Sequence, residues 1–322
     1  MKVAFRVDVS PEIGTGHLSR MSVLAEAFTE LSCECTFYKG EDEPVDYSGF
    51  DVIVVDTYQV DDAYITSLNA PSRIVVCYDD NALYTYDCDA VLNANLHAGE
   101  LRFKFGAKTP RMLLGGKYAL LRKEFREAEP IAIKEKANRV FVCFGGSDLR
   151  NMTPRVIEAL MRNKTAFLTV VLGALTSCDG EVKSLASENV AVYKTPESIS
   201  RLMTECDVAV TAAGSMIYEL AALGLPTILV AQADNQLLIS EYMSRQGLMK
   251  YIGDWQNVEL NTIKGEVEAL LRDVDRRSLE SSKLKNTVDR NGAMNAAHEI
   301  MEYYQQRRHH RIGCVLHKDS RD

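Results

Sequence analysis

The sequence predicts an α/β protein made of two consecutive doubly wound domains. Three observations lead there. Short apolar runs rich in Val and Ile alternate with longer segments of helical period, the pattern of β-α units on a parallel sheet. The alternation breaks once, at a stretch dense in charges of both signs, and then resumes. At 322 residues the chain has room for two domains of ordinary size.

In the first half the expected strands are Val3–Val9, Thr36–Lys39, Val52–Asp56, Ile74–Tyr78 and Ala90–Asn93. The first helix follows from Leu18, because apolar residues recur at Met21, Leu24, Phe28 and Leu31 with helical spacing. The stretch from Arg122 to Arg139 mixes both charges around Pro130 and marks the boundary. This gives an N-terminal Rossmann-like domain over residues 1–130 and a C-terminal one over 137–300. The second half supplies strands at Val140–Phe144, Phe167–Leu172, Val190–Tyr193, Val208–Thr211 and Thr227–Val230. Its best-defined helix runs from Met216 to Leu223. Residues 303–322 lack clear periodicity and read as a flexible tail, with His309-His310 part of a polar terminus rather than a metal pair.

Composition narrows the function. Apolar residues make up 46% and charged residues 25%, a globular balance. A net charge of −8 argues against a nucleic-acid or acidic-membrane partner, since both require a basic footprint. No apolar run reaches the roughly 20 residues needed to span a bilayer, and the N-terminus has no leader pattern. The eight cysteines lack the paired spacing of a zinc site. The expectation is a cytoplasmic protein with reduced thiols, no metal and no cofactor. No feature fixes the oligomeric state.

Chemistry concentrates where strands should end. Ile13-Gly14-Thr15-Gly16-His17 directly follows the first strand; two glycines strip bulk from a turn that opens a helix, and helix starts favour anions. Phe144-Gly145-Gly146-Ser147-Asp148 reads equally as a phosphate approach, with Ser147 donating, or as a turn with a helix cap. Ala212 to Glu219 again sets Gly214-Ser215 at a strand-to-helix turn. Glu219 sits one helical turn on, where a carboxylate can accept from both hydroxyls of a ribose. A capping box is the plainer alternative, but it wants the acid three residues after the cap and Glu219 is four. Asn235 and Gln236 carry amides that suit sugar hydroxyl or acetamido groups, or form a solvated loop. Asp56-Thr57-Tyr58 and Tyr78-Asp79-Asp80 also end strands. Asp79-Asp80 and Asp87-Cys88-Asp89 lack a third ligand at a supporting spacing, so a metal is not expected.

Taken in order, these segments resemble the UDP-sugar hydrolases of pseudaminic acid biosynthesis (PseG-like) and the SpsG-like proteins of spore-coat polysaccharide synthesis. Both in turn are similar to MurG-type glycosyltransferases of the GT-B fold. The resemblance rests on Arg6-Val7-Asp8, Gly14-Thr15-Gly16-His17 and Arg20, Val55-Asp56-Thr57-Tyr58, Asp79-Asp80, and Leu114-Gly115. It continues through Tyr118-Ala119-Leu120-Leu121-Arg122, Phe144 to Asp148, Ala213-Gly214-Ser215 with Glu219, Gly224-Leu225-Pro226 and Asn235-Gln236. It implies a UDP-sugar held by the second domain and presented to the first across a cleft. It maps the catalytic histidine onto His17 and lays the diphosphate and uridine against Gly146, Ser147, Gly214, Ser215 and Glu219. Gly14, Gly16, Arg20, Asp56 and Tyr78 fall on the substrate side of the first domain, as do Asn235 and Gln236 in the second. The implied reaction is hydrolysis of a UDP-linked acetamido sugar, with His17 activating water. A MurG-like transfer to an acceptor hydroxyl and a binding module without turnover are the rival readings.

Overall fold

The computed structural model describes residues 1–8, 16–42, 44–162 and 166–318, with side chains as far as His309 apart from Glu41. It divides into two units, Met1–Leu121 with Asn291–Asp322, and Arg122–Arg290.

The first unit contains β1 (Lys2–Val7), β2 (Glu34–Lys39), β3 (Val52–Asp56), β4 (Ile74–Tyr78), β5 (Thr85–Tyr86), β6 (Ala90–Asn93), β7 (Lys104–Phe105) and β8 (Arg111–Leu114). Six form a parallel sheet ordered β2-β1-β3-β4-β6-β8, while β5 and β7 pair separately. Successive side chains point to opposite faces, and both faces are buried. Val3, Phe5, Val52, Val54, Ile74 and Val76 enter one core with the helix Gly16–Glu30. Ala4, Ile53, Val55, Val75 and Cys77 enter another. Two-sided burial is why these strands read as unbroken apolar runs.

A long C-terminal helix, Gly292–Lys318, belongs to this same unit. Ala293, Ala296, Ala297, Ile300 and Tyr304 recur at helical spacing and join the core of Met21, Leu24 and Phe28. Its first residue has no room for a side chain, since a Cβ on Gly292 would stand 2.4 Å from the Ala119 nitrogen. The flexible tail expected over residues 303–322 is therefore corrected as far as Lys318, residues 319–322 lying outside the described ones. The backbone is helical to Lys318, Tyr304 bonds to Asp51, and Arg307 pairs with Asp89. Alanines and tyrosines carry this stripe, a weaker signal than leucines would have been.

The second unit contains β9 (Arg139–Cys143), β10 (Phe167–Leu172), β11 (Val190–Lys194), β12 (Val208–Thr211), β13 (Thr227–Ala231) and β14 (Lys250–Asp254), a parallel sheet ordered β11-β10-β9-β12-β13-β14. The charged stretch expected to separate domains packs on this unit instead. Ile131 donates its N–H to Leu223, and the buried Arg277 donates to the Lys134 carbonyl. The chain changes units just before it, at Leu121, and again after Arg290.

Candidate active site

Each sheet has one point where successive connections leave in opposite directions. In the first unit it lies between β1 and β3, in the second between β9 and β12. Crevices at the carboxyl ends of such strands are where doubly wound sheets bind ligands. The glycine-bearing segments chosen from the sequence follow β1, β9 and β12, so three of the four strands flanking these points carry one.

After β1, Gly14 lies outside the described residues, while Gly16 opens the first helix on an exposed position. His17 is 4% exposed, and its Nδ1 stands 2.7 Å from Oδ1 of Asp56 at the end of β3. A carboxylate only accepts, so Nδ1 is the donor in this contact, and in the neutral imidazole the lone pair then lies on Nε2. Asp56 is itself fully buried and takes a fork from Arg20, with Nε to Oδ2 at 2.6 Å and Nη2 to Oδ1 at 2.5 Å. The remaining Arg20 nitrogen pairs with Asp80, and the guanidinium lies 4.2 Å from the centre of the Tyr78 ring. Burial alone would push the Asp56 carboxyl up, but Arg20 and His17 overcome it and hold it below the ordinary carboxylate range. Burial likewise opposes the charge on Arg20, yet Asp56 and Asp80 keep it firmly protonated.

Tyr58 and Asp80, noted in the sequence as strand ends, complete this cluster. Tyr58 sets its ring edge-on to His17, 4.7 Å between centroids, and its hydroxyl donates to Asp80 at 3.3 Å. Burial, reinforced by Asp80, pushes that phenol up to about 12. Asp80 also accepts from Asn95 at 2.8 Å. Around them, Asp8 accepts from Arg6, Thr57 and the Tyr58 N–H, and Asp79 accepts from the N–H groups of Asn81 and Leu83 and from Tyr86. The adjacent Asp79 and Asp80 thus face different partners. Among the described residues no group of three His, Cys, Asp or Glu is arranged to hold a metal.

The two glycine turns of the second unit differ. After β9, Asp148 turns back at φ 42° and accepts from the N–H groups of Met152 and Thr153 at 2.9 and 2.8 Å, capping the helix Met152–Met161. It also accepts from Gln232 at 2.7 Å. This turn thus sets the carboxylate of Asp148, rather than the Ser147 hydroxyl, on the first amides of that helix. Gly146 stays exposed, and a Cβ on Gly173 would overlap its carbonyl oxygen at 2.3 Å. After β12, by contrast, the Ser215 side chain makes no cap hydrogen bond to the helix Met216–Leu223, and Gly214 and Ser215 are exposed at its start. The Ile217 and Tyr218 N–H groups donate to the Gly214 and Ser215 carbonyls, both at 3.1 Å, and the exposed Ser215 hydroxyl lies beside them at this positive helix end.

Glu219 lies one turn into this helix and is buried, and it does not reach back as a capping box would. Arg122 grips it instead, Nε to Oε1 at 2.7 Å and Nη2 to Oε2 at 2.9 Å. Burial pushes the Glu219 carboxyl above its ordinary range, and Arg122 opposes that rise. Asn235 is exposed, while the Gln236 side-chain carbonyl accepts from the Gln232 N–H at 2.9 Å. A pocket of about 420 Å³ lies beside them, lined by Gln232, Asp234, Trp255 and Arg150, with Arg150 stacked 4.3 Å from the Trp255 ring.

Fold and turns together place the chain in the GT-B class. Its structure superposes on MurG of Acinetobacter baumannii with a TM-score of 0.64 at 12% identity, covering 94% of this chain and 100% of that one. The glycosyltransferase VinC, solved with dTDP, gives a TM-score of 0.62 at 12% identity over 95% of this chain and 100% of that one. No family model matches the sequence. More particularly, the chain is similar to the UDP-2,4-diacetamido-2,4,6-trideoxy-β-L-altropyranose hydrolase of Campylobacter jejuni, 27% identical over 280 residues, which are 77% of this chain and 97% of the relative. It is also similar to the spore coat polysaccharide biosynthesis protein SpsG of Bacillus subtilis, 23% identical over 95% of this chain and 99% of the relative. A Helicobacter pylori protein named as pseudaminic acid cytidylyltransferase and the same hydrolase is 23% identical over 81% of this chain, which spans 51% of that longer protein.

Proposed function

We propose that the protein hydrolyses the C1–O bond of a UDP-linked acetamido sugar, releasing UDP and free sugar, with His17 as the base that activates water. The observation that carries this reading is the His17–Asp56 pair at the β1–β3 switch point. With its proton fixed on Nδ1 by Asp56, His17 offers Nε2 to a water molecule, and histidine works as a base near neutral pH. Asp56 and Arg20 act as positioning residues, because their charged atoms are spent on one another, on His17 and on Asp80. In the second unit, the uncapped helix start at Gly214 and Ser215 suits the diphosphate, and Glu219 suits the ribose. UDP is a good leaving group, so preorganised N–H donors matter more than a strong acid. Attack opposite the leaving group inverts the anomeric centre.

The names of the Campylobacter and Helicobacter relatives support a diacetamido-trideoxy sugar as the substrate class, and that of SpsG supports a role in surface polysaccharide synthesis. Cytoplasmic residence fits such nucleotide-sugar chemistry, and among the described residues no helix is long and apolar enough to cross a membrane. Metal independence fits a site whose carboxylates are already taken up by arginine, tyrosine and backbone donors. A panel of UDP-sugars incubated without any acceptor tests the whole reading. Stoichiometric UDP and free sugar, undiminished by a chelator, are expected. His17→Ala should lower turnover by about 10²-fold or more while UDP still binds. Release that requires an acceptor hydroxyl would make the protein a transferase, and retention of configuration in the first-formed product would remove the single-displacement mechanism.

A further inference from the structure

The ion pair between Arg122 and Glu219 is held from several sides. Arg122 meets Glu219 through two nitrogens, and its third reaches Glu124 at 3.2 Å. Its guanidinium also sits 4.9 Å from the Phe125 ring centre. Glu124 is held in turn by the Ser198 hydroxyl and the Ser200 N–H, both at 3.0 Å. The fork uses one lone pair on each Glu219 oxygen, and a carboxylate offers about four acceptor positions. One lone pair per oxygen therefore remains, on a side chain 11% exposed and one turn from the uncapped helix start.

We infer that Arg122 is a positioning residue for nucleoside recognition: it fixes Glu219 as a pure acceptor pair for a ribose 2′,3′-diol, and so makes the second unit select ribonucleotides over deoxyribonucleotides. This rests on the nucleotide site proposed above. The charged and titratable neighbours of Glu219 are Arg122 and Glu124 from the segment after the unit crossing and the buried Cys143 thiol at the end of β9. Arg122 is the cation among them. Without it, a carboxyl already raised by burial takes up a proton at higher pH. A protonated Glu219 points one donor at the diol and no longer matches it.

The test is calorimetric binding of UDP and of 2′-deoxy-UDP to wild type, Arg122→Met, Arg122→Lys and Glu219→Gln, from about pH 8 to about pH 5.5, either side of neutrality. The ratio of the two affinities is the readout, because the diphosphate's own titration cancels in it. Wild type should prefer UDP by about ten-fold or more, with a flat profile. Arg122→Met should lose that preference progressively as pH falls. Glu219→Gln should lack it at every pH, and Arg122→Lys should keep a flat profile at a reduced ratio. A flat, wild-type ratio in Arg122→Met overturns the inference. Should that variant fail to fold, an unchanged ratio in Arg122→Lys does so. Wild type binding both nucleotides equally removes Glu219 from ribose recognition, and with it the role of Arg122. Wild type binding neither removes the nucleotide site itself.

Discussion

At the scale of single residues, the proposed reaction rests on which atom of His17 carries the proton. Asp56 settles that, and its replacement separates geometry from charge. Asp56→Asn keeps the shape but can donate its amide toward Nδ1, moving the proton to Nε2 where the water must be met. Turnover should fall by about 10²–10⁴-fold with UDP affinity unchanged, the scale seen when an orienting aspartate is neutralised in serine proteases. The same variant has a stability signature. Asp56 is held below its unfolded value, so its contribution is present above the ordinary carboxylate range near pH 3.9 and disappears as pH falls through the lowered titration. Urea unfolding from neutral to acid pH should therefore show a steeper acid limb in wild type than in Asp56→Asn. Equal limbs would show that the buried pair carries no linkage. Spacing along the chain locates His17 but not its contact with Asp56, which stands 39 residues away; proximity of that kind is written in strand order. The pairing of Arg122 with Glu219, 97 residues apart, was hidden for the same reason.

At the scale of elements, the interior strands were legible, and so were the edge strands β2 and β11, whereas the edge strands β8 and β14 were not. Val52–Asp56, Ile74–Tyr78 and Phe167–Leu172 are buried on both faces or nearly so, and show as solid apolar runs. The edge strands β8 and β14 are only partly buried, so their composition is mixed and their pattern faint. The turn after β9 was ambiguous because Ser147 and Asp148 are both good caps, and only the fold brings Asp148 onto the Met152 and Thr153 amides. The C-terminal helix was hidden by its small residues. Its contribution is measurable at Ile300, which is 1% exposed in the core of the first unit. Ile300→Ala should cost about 2–4 kcal/mol in chemical denaturation, from lost burial and the cavity left behind. A change below about 0.5 kcal/mol, the scale of a surface substitution, would mean the helix is not packed as described.

At the scale of the whole molecule, the two sheets repeat one plan. Each has a switch point, and the two are furnished differently. The first unit puts a buried, carboxylate-oriented histidine there, and the second an uncapped helix start with a buried glutamate behind it. A common architecture thus carries two different sets of side chains at its strand ends, and the difference between the units lies there rather than in the fold.

The return of the last helix to the first unit makes the second one an insertion in the genetic sense. Residues 122–290 are a single uninterrupted segment, whereas the first unit is written in two pieces. The cut ends of those pieces lie side by side, since Gly292 packs against Ala119. A gene encoding residues 122–290 alone should yield a folded fragment that still binds UDP, as calorimetry would show. Residues 1–121 alone should aggregate, because Met21, Leu24 and Phe28 lose the helix that covers them. Splicing Leu121 to Asn291 through a short glycine loop should restore solubility to that half. The protein would then be separable into a nucleotide-binding cassette and a histidine-bearing host, each open to exchange with cassettes of other specificity.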